Sequence, residues 1–241
     1  MKITIAGYGF VGQAHYELIK DHYDVTIYDP AKGYLDFGNP DAVIVCVSTP
    51  SRNDGSCEMT NVFDVIDMCS TTIPILIKST ISLEGWDTLM YTFPTHNISF
   101  SPEFLRAASA VEDLKNAKEI LIGGSDPDTW KWILQKPIAI ADPKALILAK
   151  YFRNSFLATK VAFFNQVYDL CKETKVDFEQ VRLAVTADDR INESHSIVTE
   201  QRGFGGHCFP KDTSAIVKTA ERDNVNLSII KEAIRYNSTL L

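Results

Sequence analysis

The stretch that decides the fold is Lys2-Ile3-Thr4-Ile5-Ala6-Gly7-Tyr8-Gly9-Phe10-Val11-Gly12. Its first five residues read as a short apolar strand, and a helical run continues to about Asp21. Between them lies G-x-G-x-x-G, with the strand before it and the helix after it. Gly7 permits a tight turn, Gly9 lets the backbone approach a pyrophosphate, and Gly12 lets the helix pack close to the strand. The start of the helix then faces the phosphates with unpaired amides and the positive end of its dipole. A second strand, Val25-Thr26-Ile27-Tyr28, ends at Asp29. A carboxylate there is placed to accept hydrogen bonds from an adenosine ribose, which favours NAD over NADP. A purely structural strand-turn-helix is the alternative, and the terminal acid argues against it. Gly7, Tyr8, Gly9, Phe10, Val11, Gly12 and Asp29 are therefore the candidate NAD contacts.

Working outward, few residues separate Asp29 from Asp41, and Pro30, Gly33, Gly38 and Pro40 interrupt them, so a loop or single turn is expected in place of a crossover helix. The unbroken apolar run Asp41 to Val47 reads as a buried parallel strand. Ser48-Thr49-Pro50 leaves its C-terminal end, where open α/β sheets bind ligands. After a polar loop to Met59 come a helix, Asn61 to Ser70, and a strand, Pro74 to Lys78, with Ser79-Thr80 at its end. Thr80 reads either as a ligand contact or as a cap for the next helix. Asn97 to Phe100 is a strand leading into Ser101-Pro102-Glu103-Phe104-Leu105-Arg106. On local grounds Glu103 is a first-turn glutamate favoured by a helix dipole. A strand at Glu119 to Gly123, a helix at Asp126 to Leu134 and a strand at Ile138 to Ile140 complete an α/β, doubly wound, mostly parallel Rossmann sheet over residues 1–141.

The pattern then changes to an all-helical domain, residues 142–241. Asp142-Pro143 is an N-cap and N1 pair, and helical periodicity runs on to about Thr174, roughly 45 Å of helix. One small domain does not cover such a length, so a second layer or a second subunit is expected. Phe152, Phe156, Val161, Phe163, Phe164 and Val167 suit burial on several sides. Lys150 and Asn154 share one face at i, i+4, either as a functional pair or as a solvated polar stripe. A further helix covers Asp177 to Ala187, and an irregular polar segment carries Arg190.

Gly203-Phe204-Gly205-Gly206-His207-Cys208-Phe209-Pro210-Lys211-Asp212 follows, then helices at about Asp212–Asp223 and Leu227–Thr239. Asp212 reads as an N-cap, which puts Cys208 just ahead of a helix start and beside cationic side chains. Both features stabilise a thiolate nucleophile. An inert buried cysteine after a glycine turn is the alternative.

Composition limits the choices. The chain has 241 residues, 45% of them hydrophobic, and a net charge of −7. The missing basic run argues against nucleic-acid or membrane-surface partners. Five cysteines without a CxxC pair read as reduced thiols of a cytoplasmic protein. No metal-ligand cluster stands out. The chain runs directly into a strand, so no signal peptide is expected, and no apolar run is long enough to span a bilayer.

Taken together the motifs resemble the UDP-glucose/GDP-mannose dehydrogenase family: GYGFVG at 7–12, CVSTP at 46–50, ST at 79–80, SPEFLR at 101–106, KYFRNSFLATKVAFFNQ at 150–166 and GFGGHCFPKD at 203–212. The resemblance covers nearly the whole chain, in the family's order. It implies NAD as cofactor and a two-NAD oxidation of a nucleotide-sugar C6 alcohol to a carboxylate. Cys208 would form a thiohemiacetal and then a thioester. Lys150 and Asn154 would stabilise the oxyanion, Asp212 would assist proton transfer, and Thr80 and Glu103 would hold or activate the hydrolytic water. Thr49, Pro50 and Thr80 join the cofactor contacts. Glu103, Phe104, Leu105, Lys150, Asn154, Arg190, Phe204, Gly205 and Gly206 join the substrate contacts. A homodimer through the long helix is implied. The chain departs from the family in a short Asp29–Asp41 connection, in the serine of CVSTP, and in ending before a C-terminal UDP-binding domain, which either lies outside this sequence or is lacking in a naturally minimal form, the second reading being favoured. A β-hydroxyacid-type dehydrogenase of a smaller substrate and a non-catalytic NAD-binding subunit are the rival readings.

Overall fold

A computed structural model describes residues 1–240. The chain divides into two compact units: Met1–Arg52 with Cys57–Lys150, and Asn53–Ser56 with the chain from Tyr151 onward.

The first unit is built on a seven-stranded sheet of order β2-β1-β3-β4-β5-β6-β7. The strands are β1 (Lys2–Ala6), β2 (Asp24–Tyr28), β3 (Ala42–Val45), β4 (Pro74–Ile77), β5 (Asn97–Phe100), β6 (Ile120–Gly124) and β7 (Ile138–Ile140). The five strands β1 to β5 are parallel, β6 runs antiparallel to β5, and β7 is parallel to β6. This is the doubly wound, mostly parallel sheet that the alternating pattern implies. Its middle strands are apolar on both faces because helices and chain cover both. On one face Ile3, Ile5, Ile44, Leu76 and Ile122 pack with α1 (Phe10–Ile19), α4 (Ala110–Lys115) and α5 (Pro127–Leu134) around the fully buried Trp130. The helices α2 (Thr60–Asp67) and α3 (Leu83–Thr92) complete the alternation.

The β2–β3 connection holds one 3-10 turn, Pro30–Lys32, and then runs irregularly, as its length and breakers dictate. Sheet side chains hold it directly. Thr4 donates its hydroxyl to the Phe37 carbonyl at 2.7 Å, and the Tyr28 and Phe37 rings meet edge to face at 5.3 Å.

The helix α6 (Pro143–Thr174) spans 32 residues. Its start is set by Asp142, whose carboxylate accepts the Lys144 and Ala145 amides at 2.9 and 3.1 Å. The strand β6 comes close to that start because Gly123 has no side chain: a Cβ there would lie 2.2 Å from the Ala141 carbonyl oxygen and 2.9 Å from the Pro143 nitrogen.

In the second unit α6 is joined by α7 (Phe178–Thr186), α8 (Phe209–Arg222) and α9 (Ser228–Asn237). Ala158 and Ala162 of α6, Phe204 and Ala233 of α9 form its apolar centre, flanked by Val161, Phe209, Ile234 and Tyr236. The expected burial of the α6 aromatics on several sides holds for Phe164, which is 1% exposed, and fails for Phe152, Phe156 and Phe163, which are 42%, 69% and 54% exposed. Among the described residues no helix is long and apolar enough to cross a membrane, and no His/Cys/Asp/Glu group could hold a metal ion.

Gly123→Ala tests the close approach of β6 to α6. The clash is with backbone atoms, which cannot rotate away, so the variant should lose about 1–3 kcal/mol in a urea titration.

Candidate active site

The glycine loop follows β1 as its sequence demands. Gly7 has φ +91°, and a Cβ on it would lie 2.5 Å from the Cys46 carbonyl oxygen, so the turns after β1 and β3 touch. A Cβ on Gly12 would lie 2.1 Å from the Gly7 carbonyl oxygen. Around Gly9 there is open space, and no side chain caps α1, so the amides at its start face outward. Asp29 accepts the Tyr8 amide on Oδ2 at 2.8 Å, which locks the loop to the end of β2 and leaves Oδ1 for a ribose hydroxyl. Lys32 was not foreseen here: its ammonium donates to the Tyr8 carbonyl at 2.5 Å, beside the same acid. An open backbone cradle, a bare helix start and a half-engaged acid fit NAD.

The strand ends carry the next groups. Thr49 donates to the Thr80 carbonyl at 2.7 Å, and Ser79 to the Val47 carbonyl at 2.7 Å, so the turns after β3 and β4 are tied together. The cap of α3 is Ser82 and not Thr80, since Ser82 accepts the Gly85 amide. Glu103 corrects the local reading of a first-turn glutamate: it lies in irregular chain, is 7% exposed, and no helix starts there. Its Oε1 accepts from the Lys150 ammonium at 2.7 Å, its carbonyl accepts from the same ammonium at 2.7 Å, and its Oε2 accepts the Leu105 amide at 2.8 Å. The Lys150 ammonium also lies 5.7 Å from the centre of the Phe104 ring. Lys150 is 4% exposed, so the solvated-stripe reading fails.

Two buried bases beneath this turn escaped the sequence reading. Lys78 donates to Ser101 Oγ at 2.8 Å and to the Pro102 carbonyl at 3.4 Å, and burial pushes its ammonium down to about 8. The signal was a lysine directly before the strand-end Ser79-Thr80, where both faces of the sheet are covered. His15, on α1, is fully buried with Nδ1 2.9 Å from the Val11 carbonyl. Burial, then the nearby Lys78 charge, push its imidazole down to about 3.

In the second unit, α8 starts earlier than expected. Its N-cap is Cys208 itself, and Asp212 lies in the first turn, donating its amide to the Cys208 carbonyl at 2.8 Å. Pro210 explains the early start, because its fixed φ suits the first helical turn. Asp212 is 1% exposed, and both its oxygens are engaged: Asn154 donates to Oδ2 at 2.6 Å and Lys211 to Oδ1 at 2.6 Å. Cys208 is half-buried, Gly205 and Gly206 are exposed, and the Phe204 ring is buried. Arg190 is exposed and paired with Asp188 at 2.5 Å. All five cysteines are thiols.

Two models of one protein family match the chain. Residues 32–136 match the NAD binding domain of the UDP-glucose/GDP-mannose dehydrogenase family, and residues 146–239 match that family's central domain. A UDP-glucose 6-dehydrogenase of Rickettsia felis is 34% identical over 217 residues, 83% of this chain and 48% of the relative. The structure of a UDP-glucose dehydrogenase from Pyrobaculum islandicum superposes with TM-score 0.84 at 26% identity, covering 99% of this chain and 68% of that one. A Mycobacterium tuberculosis 3-hydroxyisobutyrate dehydrogenase shares the fold at TM-score 0.75 and 15% identity, covering 99% of this chain and 93% of that one. The class is thus that of proteins pairing an NAD-binding Rossmann sheet with a helical domain. The chain belongs to the UDP-glucose/GDP-mannose dehydrogenase family. It spans about half the length of the curated relatives it matches.

Two outcomes follow from the buried charges. Glu103→Ala leaves the Lys150 ammonium buried against a carbonyl alone and should cost about 3–5 kcal/mol in a denaturant titration, part of it recovered by adding Lys150→Met. His15 has its folded pKa depressed, so the unfolded chain takes up the proton first. Its stabilising share is whole above about pH 6.5 and is lost as pH falls toward 3, by up to roughly 1.4 kcal/mol per pH unit. Urea midpoints measured across that range should show a shallower fall for His15→Gln.

Proposed function

We propose that the chain oxidises the C6 alcohol of a nucleotide sugar to the carboxylate with NAD, a conversion of the UDP-glucose to UDP-glucuronate type. The observation that carries this reading is the Asn154–Asp212–Lys211 network, buried in the first turn of the helix that Cys208 caps. The names of the Rickettsia and Pyrobaculum relatives support it.

Residues 1–141 act as the NAD-binding domain, with Gly7, Tyr8, Gly9, Phe10, Val11, Gly12, Asp29, Thr49, Pro50 and Thr80 holding the dinucleotide. Residues 142–241 act as the helical domain with the cysteine loop. NAD supplies the hydride acceptor at both oxidation stages. At the aldehyde stage the Cys208 thiolate adds to C6: a carbon–sulfur bond forms, and the carbonyl π pair moves onto oxygen. The Lys150 ammonium and the Asn154 amide stabilise the charge on that oxygen. Loss of a hydride from this thiohemiacetal leaves a thioester. Water held by Glu103 and Thr80 then adds to the thioester carbon and expels Cys208 as thiolate. In sum, the alcohol, two NAD and one water give the carboxylate, two NADH and three protons. With both oxygens occupied, Asp212 holds the Asn154 amide in place, and protons leave past it through water.

Glu103, Phe104, Leu105, Lys150, Asn154, Arg190, Phe204, Gly205 and Gly206 contact the substrate. The exposed Phe156, Phe163 and Leu170, seven residues apart on α6, are apolar surface suited to a second copy of the chain. The protein works in the cytoplasm, where its thiols stay reduced.

Incubation with NAD and UDP-glucose should produce NADH, and Cys208→Ser should lower turnover about a thousandfold or more. No NADH with any UDP- or GDP-hexose removes the activity. Full turnover by Cys208→Ser assigns the chain to a cysteine-independent, β-hydroxyacid type of oxidation, and NAD binding without turnover assigns it to a non-catalytic subunit.

A further inference from the structure

Two successive residues ahead of the cysteine loop are left-handed: Arg202 with φ 57° and Gly203 with φ 55°. For an arginine this costs on the order of 1 kcal/mol, and it persists only where the surroundings over-determine it. Here two helices do so. From α6, Asn165 accepts Arg202 Nε at 2.7 Å and the Gly203 amide at 3.2 Å. Asp169 accepts the Arg202 guanidinium at 2.6 Å, and that guanidinium lies 4.7 Å from the centre of the Tyr168 ring. From α9, the Tyr236 hydroxyl donates to the other Asp169 oxygen at 2.6 Å.

Asn237 completes the arrangement. Its Oδ1 accepts the Phe204 amide at 2.6 Å, and its Nδ2 donates to the Phe204 carbonyl at 2.9 Å. The side chain is 5% exposed and satisfies both backbone groups of one residue. A Cβ on Gly203 would lie 2.4 Å from Asn237 Oδ1, so position 203 needs glycine for its backbone and for its neighbour.

Beyond Phe204 the loop has little to hold it. Gly205, Gly206 and His207 are exposed, and a Cβ on either glycine would touch nothing within 4 Å. Its path is therefore set at its two ends: the clamp on Phe204 and the start of α8 at Cys208. We propose that Asn237 is a positioning residue for Cys208, acting through the Phe204 backbone. It holds the glycine loop so that the sulfur stays at the start of α8. This inference rests on Cys208 being the nucleophile, and its test does not need turnover.

The rate of iodoacetamide alkylation at Cys208, followed by peptide mass spectrometry near neutral pH, reads the position of the sulfur. Peptide mapping separates Cys208 from the other thiols, of which Cys57, Cys69 and Cys171 are buried, while desolvation pushes the half-buried Cys46 up to about 12. Asn237→Asp keeps the acceptor, loses the donor and sets an oxygen against the Phe204 carbonyl. It should slow alkylation about tenfold, as the loop released at Phe204 no longer holds the sulfur at the helix start, where unpaired amides favour attack. Asn237→Ser, which shortens the clamp, should act in the same direction and serves if the Asp variant does not fold. Glu232→Gly, exposed on the same helix, should lower Tm while leaving the rate within about twofold. A wild-type rate in the Asn237 variants, or equal slowing by Glu232→Gly, overturns the proposal and leaves Asn237 a structural residue. Slowed alkylation in a protein that makes no NADH from any nucleotide sugar keeps the positioning role and rejects the proposed function.

Discussion

The Lys150–Glu103 pair is the interaction on which the turn after β5 depends. Both charges are out of water, and each is tolerable there because the other is within 2.7 Å. The ammonium reaches the Glu103 carbonyl as well as its carboxylate, so one lysine fixes both the backbone and the side chain of the turn after β5. That turn rests in turn on a second buried ammonium, Lys78, which holds Ser101 and Pro102. Two buried cations close to one carboxylate are expensive for folding alone. They are the kind of arrangement that a reacting oxygen anion would repay.

The second unit shows the same economy with one carboxylate. Asp212 is held by Asn154 and Lys211 and lies one turn into the helix that Cys208 caps. With both oxygens engaged, the carboxylate fixes the Asn154 amide and the Lys211 ammonium in place. The loop before Cys208 is exposed and glycine-rich, and it is fixed by residues far along the chain. Such a loop combines close approach to a ligand with geometry imposed at its ends.

Much of this was legible in the sequence. G-x-G-x-x-G between a strand and a helix, closed by Asp29, marked the NAD-binding unit: at Gly7 and Gly12 a Cβ would strike backbone, while Gly9 opens onto free space. The breakers between Asp29 and Asp41 excluded a crossover helix, and Asp142-Pro143 marked the start of α6. Misreadings arose where a local rule met a distant partner. Glu103 looked like a dipole-favoured first-turn acid, and its partner comes 47 residues later. Asp212 looked like an N-cap, while the proline two residues before it moved the helix start back to Cys208. The α6 aromatics looked buried all round, and three of them lie open.

By itself the sequence determined the strand–helix alternation, the glycine turn and the residue types at the strand ends, since these follow from backbone sterics and periodicities of a few residues. The tertiary structure alone decided which charges are paired and what holds the cysteine loop. Lys78 under Ser101, Lys150 on Glu103 and Asn237 on Phe204 join residues separated by 23, 47 and 33 positions. Hydrogen bonds act over about 3 Å in space and carry no trace of that spacing along the chain.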